Sequence, residues 1–181
     1  MTSASPERRD ALRRMLRDSG AVRFGRFTLA SGQVSDVYVD IKKAWTDPRR
    51  LELISEELSG HIGDAQLLAG MELGAVPLVV ATALRTGLPY VVVRKAAKAH
   101  GTQQRYEGEI PSGSRVLVIE DVSTTGGSSA ETVEVVRAAG GVVERIVVVV
   151  DRGQGARERL AGIGVALEPL VTLDELRGTP A

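Results

Sequence analysis

Short apolar runs separated by segments of helical period set the rhythm of this chain. Gln66–Ala69, Tyr90–Val93, Val116–Ile119 and Val142–Val150 are dominated by Val, Leu and Ile with little polar alternation, the pattern of strands buried on both faces. Between them apolar residues recur every three or four positions. Leu51, Ile54 and Leu58 form one such stripe after Asp47-Pro48, and a second apolar helix runs through Leu84. Ala130, Val133, Val136 and Ala139 form another, closed by Gly140-Gly141. Upstream, Ser5-Pro6 opens a helix with Leu12, Met15 and Leu16 on one face, and Gly20 ends it. Val37, Val39 and Ile41 alternate with Tyr38, Asp40 and Lys42, as in a half-exposed strand of a hairpin following a Ser-Gly turn. The tail reads as a short helix from Ala156, a small strand near Val165 and a helix at Leu173 to Leu176. The alternation predicts an α/β chain.

The chemistry concentrates where the strand Val116–Ile119 meets the helix that follows it. Glu120 and Asp121 come first, then the small polar stretch Ser123-Thr124-Thr125-Gly126-Gly127-Ser128-Ser129. A strand feeding such a loop into a helix holds an anion, because free N–H groups and the helix dipole point the same way. The hydroxyls of Thr124, Thr125 and Ser128 add donors, and the glycines permit close backbone approach. No lysine follows the glycines, which excludes a Walker A loop, and GxGxxG is absent. The two acids suit the vicinal hydroxyls of a sugar or the shell of a bound Mg²⁺. Together they describe a site for a ribose 5-phosphate.

Two flanking features add to this picture. Arg94, Lys95, Lys98, His100 and Arg105 gather basic groups around the polar centre Gly101-Thr102-Gln103-Gln104. As a charge run it reads as a solvated face; as a long loop beside a phosphate site it reads as a lid bringing positive charge to a leaving group. Arg152 follows the run Val142–Val150 at the strand edge where α/β ligands sit, and its planar fork suits a carboxylate; the bland reading pairs it with Asp151. Trp45 reads as packing, and His61 as a surface or helix-capping histidine.

Composition narrows the partners. The 181 residues suit one domain, and 23 basic against 23 acidic side chains leave no overall surplus to attract nucleic acid or anionic lipid. The absence of cysteine excludes disulfides and thiolate metal sites and fits a cytoplasmic location. The longest apolar runs are too short to cross a bilayer, and no membrane partner is expected.

Ile119-Glu120-Asp121-Val122-Ser123-Thr124-Thr125-Gly126-Gly127-Ser128 resembles the signature of the type I phosphoribosyltransferases for 5-phospho-α-D-ribose 1-diphosphate (PRPP). Arg94-Lys95 with Lys98 and His100-Gly101 is similar to the loop of the orotate phosphoribosyltransferase family, and Asp151-Arg152 follows the same strand as in that family. Phe27 to Gly32 with Ser35, Tyr38, Asp40 and Lys42 resembles its N-terminal hood. Ala30 stands where many bacterial members carry a ligand-contacting lysine, and Asp36-Val37-Tyr38 where they carry paired aromatics.

The resemblance implies the type I phosphoribosyltransferase fold, a central mostly parallel sheet flanked by helices. One phosphoribosyltransferase domain would cover residues 1–181, with about 1–45 contributing to a hood over the base site. It implies transfer of ribose 5-phosphate from PRPP to orotate with Mg²⁺ as cofactor, and it places the turn Gly70 to Ala75 at the family's diphosphate loop, which often has a cis peptide; the residues alone leave open whether this one does. Arg94, Lys95, Lys98 and His100 would meet the diphosphate, and Glu120, Asp121, Val122, Ser123, Thr124, Thr125, Gly126, Gly127 and Ser128 would hold PRPP. Lys98, Asp121 and His100 would be catalytic, and Thr124 and Arg152 would bind orotate. A homodimer is implied, with the Lys98 and His100 loop reaching the neighbouring subunit's site. Two alternatives stand beside this: a transferase acting on a purine, and a regulator that senses PRPP or binds RNA without turnover.

Overall fold

The computed structural model describes residues 6–28, 34–96 and 104–178. Helix α1 (Pro6–Asp18) precedes a hairpin of β1 (Val22–Thr28) and β2 (Val34–Val39), paired antiparallel from Val22↔Val39 to Thr28↔Val34. One helical turn, α2 (Lys42–Trp45), and helix α3 (Pro48–Ser59) follow. Strands and helices then alternate as β3 (Leu67–Met71), α4 (Val76–Thr86), β4 (Tyr90–Val93), β5 (Tyr106–Glu107), β6 (Val116–Ser123), α5 (Gly127–Ala138), β7 (Arg145–Asp151), α6 (Ala156–Ala161), β8 (Ala166–Thr172) and α7 (Leu173–Gly178).

The main sheet has the order β5-β4-β3-β6-β7-β8, and every pairing is parallel except β4 with β5. Residue parity divides its side chains between two cores. Leu68, Leu117, Ile119, Val147 and Val149 pack with Leu12 and Leu16 of α1, Ile54 and Leu58 of α3, and Leu78 and Val79 of α4. Leu67, Ala69, Val116, Val118, Ile146 and Val148 pack with Val133 and Val136 of α5 and Leu160 of α6. Both faces are therefore covered, which is why these strands read as unbroken apolar runs. Trp45 packs partly buried against the first core, as expected.

The structure shifts several boundaries. Strand β6 does not end at Ile119: its ladder with β7 continues through Glu120↔Val148 and Val122↔Val150 to Ser123↔Asp151, because backbone pairing is indifferent to side-chain polarity. Strand β7 begins at Arg145 rather than Val142, since Val142 makes only an isolated bridge to Arg115 before the register with β8 starts at Arg145↔Ala166. Ile41 leaves β2 and turns into the core ahead of α2, where it is 1 % exposed. The tail strand is longer than the small one expected near Val165. His61 follows α3 with its Nδ1 3.4 Å from Glu168 Oε2 on β8, so it joins elements rather than facing open solvent. The parallel strands end together at one edge, where the connections after β3, β6 and β7 meet.

Candidate active site

The loop between β6 and α5 is Thr124–Gly126, and α5 starts with an unusual economy. Helix α3 shows the ordinary solution: the Asp47 side chain accepts hydrogen bonds from the N–H groups of Arg49 and Arg50 at 3.0 and 3.2 Å. Helix α5 has Gly126 at its N-cap and no side-chain cap at all. Forgoing a Ser, Thr or Asp cap gives up about 1 kcal/mol, and it leaves the first-turn N–H groups for an outside acceptor. Gly126 is required here for a second reason. Its φ is +74°, and a Cβ would lie 3.1 Å from the Ala156 backbone, so the loop lies tightly against α6. Thr125 and Ser128 are exposed and Thr124 half-buried. Ser123 is buried within β6, and its backbone oxygen accepts from the N–H of Arg152. Arg159 Nη1 lies 3.7 Å from where a Cβ on Gly127 would sit, which places a cation over the loop that the sequence did not suggest.

The two carboxylates differ sharply. Glu120 is 5 % exposed and continues the strand positions that pack under α5, where the Ser129 hydroxyl donates to its Oε2 at 3.3 Å. Burial, and next the negative charge of Asp121, push its carboxyl up to about 8, against a weaker downward pull from Ser129. Burial and the neighbouring charge thus both favour the protonated form of Glu120. Asp121 is half-buried and lies against Gly74 of the turn after β3, where a Cβ would fall 2.2 Å from its Oδ2. The absence of a side chain at Gly74 makes the room for this carboxylate.

That turn contains a cis peptide between Glu72 and Leu73. Glu72, Leu73 and Gly74 line a cleft of about 270 Å³ together with Lys42, Lys95, Glu120, Asp121, Val122 and Ser128. The structure thus brings together Lys95, the acid pair, Val122 and the helix start. Lys42 was not among the expected site residues. It sits on α2 with its Nζ 3.5 Å from Asp40, and only its place beside Asp40 in the hood-like string pointed to it. Lys98, His100 and Ala30 lie outside the described residues.

The side chains of Arg94 and Arg105 already have protein partners, and Lys95 is held through its backbone. Arg94 Nη1 is 3.2 Å from Glu107 Oε1, and the Lys95 N–H donates to Glu72 Oε1 at 3.0 Å. Arg105, counted with the loop's cations, donates to the carbonyls of Arg94 and Lys95 and to Glu131. Tyr106 and Glu107, which directly follow Arg105, form an edge strand. At the far side of the loop, Arg152 follows β7. It does not pair with Asp151, whose Oδ1 accepts instead from the N–H of Gly153 at 3.0 Å. The Arg152 Nε is buried with no hydrogen-bond partner among the described residues. An unpartnered buried donor is costly unless something completes it.

A strand edge with a bare helix start, an acid pair and a cationic wall defines a sugar-phosphate transferase site, and comparison with known proteins gives the class. Residues 48–169 match the model of the phosphoribosyl transferase domain, beginning just after the hairpin and α2, and the chain belongs to the phosphoribosyltransferase family. Among its relatives are orotate phosphoribosyltransferases. That of Methanopyrus kandleri is 46% identical over 94% of this chain and 92% of its own length, and that of Natronomonas pharaonis 50% over 89% and 92%. The crystal structure of Mycobacterium tuberculosis orotate phosphoribosyltransferase with Fe(III) dicitrate superposes with a TM-score of 0.82 at 38% identity, covering 93% of this chain and 98% of that one.

Proposed function

We propose that this chain transfers the ribose 5-phosphate group of PRPP to orotate, releasing diphosphate and forming orotidine 5′-monophosphate in pyrimidine (UMP) biosynthesis. The observation that carries the reading is the order of groups along one sheet edge: Arg152 beside Ser123, then the uncapped start of α5, then Asp121 and Glu120, then Lys42 and Lys95. That order matches a base carboxylate, a 5-phosphate, a ribose diol and a diphosphate.

The ring nitrogen of orotate attacks the anomeric carbon while the bond to diphosphate breaks, so positive charge grows on the ribose and negative charge on the leaving group. Positioning and electrostatics supply the acceleration, without a covalent intermediate. The N–H groups and hydroxyls from Thr124 to Ser128 hold the 5-phosphate, and Thr124 reaches the base. Asp121 and Glu120 hold the ribose hydroxyls, and Asp121 faces the positive sugar. Lys95 and Arg94 meet the diphosphate, Arg94 by exchanging Glu107 for it. Lys98 and His100 complete the set, with Lys98 stabilising the leaving charge. Arg152 grips the orotate carboxylate, which satisfies its buried Nε.

Among the described residues no group of three or more His, Cys, Asp or Glu side chains could hold a metal ion. A cleft with a few carboxylates beside it fits Mg²⁺ carried mainly by substrate oxygens and water. Bound in that way, Mg²⁺ supplies charge neutralisation for the diphosphate, with Asp121 and Glu120 the protein groups placed to approach it. The reading includes a homodimer in which Lys98 and His100 serve the neighbouring site, and a cytoplasmic enzyme of one domain with the β1–β2 hairpin as its hood. Exposed Leu84, at 83 %, and Tyr90 leave apolar surface around the α4–β4 connection that a second copy would cover. No described helix is long and apolar enough to cross a membrane.

Arg152→Ala tests the base assignment. It should raise the orotate KM far more than the PRPP KM, and steady-state kinetics with each substrate varied in turn reads the split. Equal effects on both would remove Arg152 from carboxylate recognition.

A further inference from the structure

We infer that Arg105 and Glu131 form a positioning pair that clamps the backbone of Arg94 and Lys95 to helix α5, and so sets the spacing between the diphosphate cations and the 5-phosphate loop. The inference rests on the phosphoribosyl transfer proposed above and adds the element that holds the site's two halves in register. Arg105 Nη2 stands 3.0 Å from the Arg94 carbonyl, 2.8 Å from the Lys95 carbonyl and 2.6 Å from Glu131 Oε1. The Arg94 N–H donates back to the Arg105 carbonyl at 2.8 Å, so the two chain segments grip each other. Lys95 is held at both backbone polar groups: its carbonyl by Arg105 and its N–H by Glu72 at 3.0 Å. Fixing both groups of one residue fixes the direction of its side chain, which lines the cleft.

The other end of the clamp is informative. Glu131 belongs to the first turns of α5, the helix whose bare N-terminus faces the cleft. Arg105 thus joins the diphosphate wall to the element that presents the 5-phosphate loop. The ladder of β4 with β3 ends at Met71↔Val93 and that with β5 is two residue pairs long, so Arg94 and Lys95 lie just beyond the sheet's own pairing. A charge run would place Arg105 among the ligands of the diphosphate, but its Nη2 is committed to three protein acceptors, while its buried Nε has no hydrogen-bond partner among the described residues. The side chains of Arg105 and Glu131 are 31% and 42% exposed, a setting in which an ion pair contributes little to stability. A purely structural pair would therefore leave ligand affinity untouched, whereas a positioning pair shifts it for one ligand and not another.

Titration calorimetry on the full chain with Mg²⁺ present separates the two. PRPP spans both halves of the site, and ribose 5-phosphate lacks the diphosphate. Arg105→Ala should weaken PRPP binding about tenfold, the loss expected for a charged hydrogen-bond cluster, and leave ribose 5-phosphate within about twofold. Glu131→Ala, at a half-exposed helix position that does not threaten folding, should weaken PRPP several-fold in the same selective way, and Arg105→Lys should fall between Ala and the parent. PRPP affinity unchanged in Glu131→Ala, or equal losses for both ligands, would overturn the inference. Turnover of orotate by the parent protein, measured on the same preparation, distinguishes the failures: a parent that turns over with unshifted variants sinks the clamp alone.

Discussion

The β6–α5 junction and the β4–β5 edge flank one cleft and are held in place by different means. Strand β6 lies inside the sheet between β3 and β7, and the helix it feeds is anchored by Val133 and Val136 in the core. Strand β5 adds only two residue pairs, Val92↔Glu107 and Val93↔Tyr106, to a β4 already paired with β3, and the backbone beyond Val93 is held by polar contacts of Arg105, Glu131, Glu72 and Glu107. A packed interior does not deform continuously, so the junction presents its N–H groups already aimed. Exposed ion pairs exchange partners at small cost, so Arg94 can leave Glu107 when a diphosphate arrives. The difference suits the reaction: the sugar phosphate keeps its place while the groups around the leaving diphosphate rearrange.

Gly74→Ala is the strongest way to break the packed side. Its Cβ would lie 2.2 Å from Asp121 Oδ2, so the carboxylate has to move. A displacement of about 1 Å at a positioning group can lower kcat/KM on the order of a hundredfold. The expected outcome is such a loss with the folded state retained, read from kinetics beside thermal melting. Near-parental kcat/KM would show that the position of Asp121 is not what the junction protects.

Glu120→Gln is a smaller perturbation and sharpens the same contrast. The folded-state carboxyl lies near 8 against an ordinary value of 4.5. Between these values the folded protein holds a proton that the unfolded chain has released, so stability falls as pH rises through that window and levels off above it. The amide variant does not titrate. Its melting temperature should decline less than the parent's between pH 6 and pH 9, with each kcal/mol of difference appearing as about 2–4 °C. Parallel curves would mean that Glu120 is ionised in the fold.

Legibility in the sequence follows the same division. The uninterrupted apolar runs of β3, β4, β6 and β7 announce strands covered on both faces, and the passage from strand through Thr124, Thr125 and Gly126 into α5 is local, so both were readable. Strand β5 was not, because Tyr106 and Glu107 are paired through their backbones at an exposed edge. The continuation of β6 through Glu120 to Ser123 was hidden because polar residues there join the ladder through their backbones. Arg105 looked like one more cation in a solvated run, since two of its three acceptors are main-chain carbonyls. The meeting of Gly74 with Asp121 and the entry of Lys42 into the cleft join segments far apart in the chain, which no local pattern carries. Lys98 and His100 lie outside the described residues, and their roles rest on the basic run and on the resemblance.

The central claim is the choice of base. The most direct measurement incubates the protein with PRPP, Mg²⁺ and either orotate, hypoxanthine, adenine or guanine, and follows nucleotide and diphosphate formation. The account predicts orotidine 5′-monophosphate and stoichiometric diphosphate with orotate, and no product with the purines. Turnover of hypoxanthine without turnover of orotate would contradict it.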